Sequence, residues 1–136
     1  MGSMMETRRA IMKKTKKYDP SKLTYREEGK ANMANVRLIF EDGIDNPIVV
    51  IEYPGQAVIL DGHHRANLAK ENGWLIPGLP ISGDRYAKLT SLGYDDMEIS
   101  YAVLVESGNY EAAESIEAMF PGSPIADRGE EIIEID

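Results

Sequence analysis

Cysteine is missing altogether from the 136 residues. Its absence excludes a disulfide framework, a thiolate metal site and a cysteine nucleophile, and it points to a cytosolic setting. Histidine is nearly as scarce, with two copies, so a zinc shell has no third imidazole or thiolate to complete it. No apolar run approaches the roughly 18 residues of a membrane span, and no signal-peptide pattern is visible. Cations are outnumbered, with 15 Lys/Arg against 23 Asp/Glu and a formal net charge of −8. An acidic body argues against general binding of duplex DNA, whose affinity rests on Lys/Arg neutralising phosphates.

The length fits one domain with a real core, and the composition is that of a globular protein. The charge is unevenly spread. Residues 1–30 hold nine Lys/Arg against four Asp/Glu, and the remainder six against nineteen. The basic arm of residues 1–17 reads as a solvated terminus, with contact to nucleic acid or to a protein partner as the functional alternative. Residues 122–136 read as an acidic, solubilising tail.

Periodicity and punctuation place the elements between these ends. Tyr18–Leu23 is an extended lead-in, and Thr24-Tyr-Arg-Glu27 fits a capping box opening a helix over about 25–41. Pro47–Tyr53 and Ala57–Leu60 form a hairpin across Pro54-Gly55. A helix over about 62–72 closes at Gly73. The stretch 74–81, carrying Pro77 and Pro80, reads as an edge strand or an extended cover. Helices follow over about 84–92, 95–106 and 109–120, with Asp95 and Asn109 as N-caps. This order predicts an α+β domain, a small mixed sheet with packed helices: a core over 18–82 and a helical part over 83–121.

The chemistry concentrates in Val58-Ile-Leu-Asp61-Gly62-His63-His64-Arg65-Ala-Asn-Leu-Ala-Lys-Glu-Asn-Gly73. A strand runs into a glycine, and a helix begins with both histidines and an arginine in its first turn. Such a helix end presents unpaired N–H groups and the positive end of the macrodipole, an anion site. Gly62 permits close backbone approach and Arg65 supplies a forked cation, which makes phosphate the natural guest. Asp61 either caps the helix or takes a functional role by binding Mg²⁺ or holding a cation. Adjacent helical side chains diverge by about 100°, so His63 and His64 do not form a bidentate metal site. One of them is read as a phosphate contact or general base, and the other as packing.

Together with Ile48-Val-Val and Gly55, this segment resembles the ParB/sulfiredoxin-like superfamily over residues 18–82. Its members include CTP-binding domains of chromosome-partition proteins, sulfiredoxin, a free-serine kinase and ParB-like nucleases. The resemblance implies a nucleotide di- or triphosphate of the ATP/CTP type on the Gly62–Arg65 turn, with Mg²⁺ assisting. Gly62 and Arg65 map directly onto the motif, and His64 stands beside the arginine. His63 falls where sulfiredoxins carry their cysteine, so that chemistry is excluded. The family also brings polar residues of the N-terminal segment to the nucleotide, here Thr24, Glu27 and Glu28. Glu27 also fits the capping box, which leaves Glu28 as candidate Mg²⁺ ligand or base.

Two functions follow as expectations. One is Mg-assisted phosphoryl transfer or nucleotide hydrolysis, with His63, His64 or Glu28 catalytic. The other is a non-catalytic ParB-like adaptor or nucleic-acid-associated regulator. A ParB-like nuclease is the hydrolytic alternative, and the acidic body speaks against it. No clear helix-turn-helix follows the core, which separates this chain from the partition proteins.

Overall fold

Ile48-Val49-Val50-Ile51 is a run of β-branched residues, each at most 2% exposed. A strand apolar at every position needs cover on both faces. The computed structural model describes residues 15–26 and 46–135, and there this run lies inside a four-stranded mixed sheet. The strands are β1 (Lys16–Tyr18), β2 (Ile48–Tyr53), β3 (Gln56–Asp61) and β4 (Ile76–Ser82), in the order β1-β4-β2-β3. β2 and β3 form the expected antiparallel hairpin, β4 runs parallel to β2, and β1 antiparallel to β4. The helices are α1 (His63–Asn72), α2 (Gly83–Ser91), α3 (Asp96–Glu106), α4 (Tyr110–Met119) and α5 (Ile125–Ile133). This is the α+β architecture expected from the sequence.

Alternation along β2 divides the core in two. Ile48 and Val50 join Ile59, Ala66, Ala69, Ile76 and Leu23 beneath α1. Val49 and Ile51 join Leu60, Leu79, Ile81 and the apolar residues of α2–α5 on the other face. The centre of that second layer is α3, whose residues from Glu98 to Val105 are all buried. Asp95 caps α3, accepting from the Glu98 N–H, while Glu98 Oε1 accepts from the Asp95 N–H in a full capping box. The second Glu98 oxygen accepts from Arg128 Nε at 2.6 Å, tying α5 to the start of α3.

Three sequence expectations are corrected. The stretch 74–81 is not an outer cover, because β4 pairs on both sides. β1 reaches only Gly78, so among the described residues β4 has an unladdered edge beyond it, which a proline without an N–H tolerates. Residues 122–136 are not a plain tail: Ile125 and Ile132 of α5 are buried against the core. Thr24 does not cap a helix starting at 25. It forms a parallel bridge to Val58, and Tyr25 and Arg26 are not helical. The rest of the expected 25–41 helix lies outside the described residues.

Gly129 tests the packing of α5. A Cβ there would meet Tyr101 Cδ1 at 2.4 Å. Helix propensity favours Gly→Ala by about 1 kcal/mol, whereas overpacking a rigid core costs about 1–3 kcal/mol. Gly129→Ala is therefore expected to lower the urea midpoint with an unchanged slope. A higher midpoint would show that the α3–α5 contact has slack.

Candidate functional site

β3 ends at Asp61 and α1 begins at His63, so one residue must turn the chain from extended to helical. Gly62 does so at φ 100°, a conformation that L side chains rarely adopt. Space also excludes a side chain, since a Cβ would lie 2.4 Å from Ile48 Cγ2 and 2.9 Å from Arg65 Nη2. Gly62 is itself the N-cap and contributes no side-chain hydrogen bond. The N–H groups of His63, His64 and Arg65 belong to the first turn, where no intrahelical acceptor exists. Only with Ala66, which donates to the Gly62 carbonyl at 3.0 Å, does the helical ladder start.

Asp61 is not the cap. Its carboxylate accepts from Arg65 Nη2 at 3.3 Å, the cation-holding alternative among its expected roles. Arg65 also donates through Nη1 to the Asn46 carbonyl at 3.0 Å. The Arg65 and Asp61 side chains are only 17% and 15% exposed. Burial lowers the Arg65 pKa and the Asp61 charge opposes that shift. Arg65 is thus a positioning residue that joins the entry to β2, the end of β3 and the first turn of α1.

The histidines diverge as their spacing requires. His63 Nε2 accepts from the Arg26 backbone N–H at 3.4 Å. His64 Nδ1 is buried and has no hydrogen-bond partner among the described residues. A buried, unpaired imidazole nitrogen costs about 1–3 kcal/mol, so it is a notable feature of the turn. Among the described residues no three His, Asp or Glu side chains converge to hold a metal ion. Glu27 and Glu28 lie outside the described residues.

Thr24 is not brought to the turn. Its hydroxyl accepts from Gln56 Nε2 at 3.2 Å, at the hairpin end of β3. Because the Thr24–Val58 bridge is parallel, the chain then runs along β3 towards Gly62, and Arg26 arrives beside His63. Arg26 is the residue that sequence reasoning missed. Its Nη1 donates to Asp96 Oδ2 at 2.7 Å and to the Tyr86 hydroxyl at 3.4 Å, while Tyr86 donates to Asp96 Oδ1 at 2.8 Å. Burial works against the Arg26 charge, but Asp96 and Tyr86 outweigh it and raise its pKa. A pairing across 70 residues leaves no local signal in the chain.

No family model, curated protein or solved structure matches the chain. The site's meaning therefore rests on its geometry and on chemical argument.

The Asp61–Arg65 pair carries a testable energy. Removing one member of a mostly buried pair strands the other, at a cost of about 3–5 kcal/mol. Arg65→Met should lose about that much stability in urea unfolding, and Asp61→Asn combined with it should recover part of the loss. A purely additive double variant would mean that the two charges are not coupled.

Proposed function

We propose that the Gly62–Arg65 turn binds the phosphate groups of a nucleotide of the ATP or CTP type. The observation that carries the reading is the α1 N-terminus: a left-handed glycine opens it, and having no side chain it does not itself cap the first-turn N–H groups. Oriented backbone N–H groups and the helix dipole favour an anion there. Arg65 lies behind the turn, where its bonds to Asn46 and Asp61 hold the turn in shape and offset the Asp61 charge that would otherwise repel an anion. The resemblance to the ParB/sulfiredoxin-like superfamily supports the same guest.

Mg-assisted phosphoryl transfer or hydrolysis is the catalytic form of this proposal. It needs a metal ligand, for which Glu28 is the candidate, and a base from His63, His64 or Glu28. One observation favours the non-catalytic form. The Arg26 N–H occupies His63 Nε2, and the Arg26 side chain reaches Asp96 and Tyr86. That chain of contacts links the turn to α2 and α3, as suits a module that responds to a bound nucleotide.

A thermal-shift panel tests the reading. Ligand at about 100 times its Kd stabilises the folded state by about 2.7 kcal/mol, several degrees in Tm for a domain of this size. ATP, ADP, CTP or GTP with Mg²⁺ should raise Tm, and the matching nucleosides without phosphate should not. Equal shifts from nucleosides, or none from any nucleotide, would reject phosphate binding. Release of inorganic phosphate from the bound nucleotide would decide for the catalytic form.

A further inference from the structure

The two histidines of the turn meet opposite surroundings, and those surroundings decide which ring nitrogen carries the hydrogen. A neutral imidazole has one N–H and one lone pair, and its tautomer follows from the partner each nitrogen finds. His63 Nε2 lies 3.4 Å from the Arg26 backbone N–H. A backbone N–H can only donate, so this nitrogen holds the lone pair and Nδ1 carries the hydrogen. In a free imidazole side chain the hydrogen favours Nε2, so His63 is held in the less common form. The Arg26 amide is fixed from both sides. Thr24 bridges β3 two residues earlier, and the Arg26 side chain bonds Asp96 and Tyr86.

His64 is the reverse case. Its Nδ1 is buried and finds no hydrogen-bond partner among the described residues. A buried N–H left without an acceptor is rarer in proteins than a buried lone pair left without a donor. Nδ1 is therefore the bare nitrogen, and Nε2 carries the hydrogen. No hydrogen bond among the described residues engages Nε2, which keeps contact with solvent.

We propose that the first turn of α1 holds its histidines in opposite tautomers, His63 with Nδ1–H and His64 with Nε2–H, and so offers no accessible imidazole lone pair. Of the two lone pairs, one is taken by Arg26 and the other is shut away from solvent. A general base must bring its lone pair within hydrogen-bond reach of the proton it removes, directly or through one water. Neither ring does so. The group that meets solvent is the His64 Nε2–H, a neutral donor that fits an anion's oxygen. This last step rests on the phosphate reading of the turn: the His64 donor contacts the bound phosphates, and a catalytic form must draw its base from Glu28.

Long-range ¹⁵N–¹H correlation of histidine-labelled protein tests this on the full chain at about pH 8, above the ordinary imidazole pKa. Bare and protonated ring nitrogens resonate far apart, so each tautomer has its own pattern. His64→Gln removes one of the two patterns and thereby assigns the other. The wild type should show one ring of each kind, Nδ1–H at His63 and Nε2–H at His64. Two Nε2–H rings, or the two patterns exchanged between the residues, would overturn the proposal. Arg26→Pro deletes the donor and should return His63 towards the Nε2–H form, with the His64 pattern unchanged. An unmoved His63 would show that the Arg26 amide does not set its tautomer. Added ATP with Mg²⁺ should move the His64 Nε2 resonances, and first-turn amides that move without them would refute the donor role. If ATP moves nothing, the phosphate reading fails and the donor role with it, while the tautomers are judged by the first spectrum alone.

Discussion

The candidate site depends on the approach of Ile48 to Gly62. Ile48 is the first residue of β2 and is fully buried, so its side chain cannot retreat without opening the core beneath α1. Its Cγ2 occupies the place where a Cβ on residue 62 would sit. The turn must then be glycine, and a glycine at φ 100° sets where α1 starts and what its first turn presents. Arg65 closes the arrangement from the other side by bonding both Asn46, two residues before Ile48, and Asp61, the residue before Gly62. Sheet core, turn and helix start are thereby fixed as one unit.

The helices on the opposite face are organised around α3 by buried or half-buried charge pairs. Glu98 is 6% exposed and both its oxygens have donors, one in the capping box and one from Arg128. Arg85 of α2 pairs both terminal nitrogens with Glu106 at the end of α3. Such pairs add little net stability when desolvated, but each strands a charge if the partner helix shifts, so they favour one arrangement over near alternatives. The Arg26–Asp96–Tyr86 cluster extends this logic to the turn, because Arg26 also meets His63.

Local patterns carried much of this fold. The β-branched run and the Pro54-Gly55 turn announced the hairpin, and Asp95 announced the start of α3. Gly62 was legible as a special backbone position, although the clash with Ile48 depends on contact across the sheet. What was illegible is non-local. The two prolines of β4 suggested an edge, because the sequence does not show that β1 stops at Gly78. The acidic residues of α5 obscured an apolar stripe of Ile125, Gly129 and Ile132. Thr24 satisfied a capping pattern and instead entered a β-bridge, tertiary pairing overriding a local signal. The positioning role of Arg65 also came from outside its own segment, from Asn46.

The central claim is that an anion docks on the first turn of α1. The most direct measurement is a ¹⁵N–¹H correlation spectrum recorded while a nucleoside triphosphate with Mg²⁺ is added. The account predicts that the amide resonances of His63, His64 and Arg65 move most and saturate together, with the effect absent for the bare nucleoside. Saturable shifts centred elsewhere, with these three amides unmoved, would contradict it.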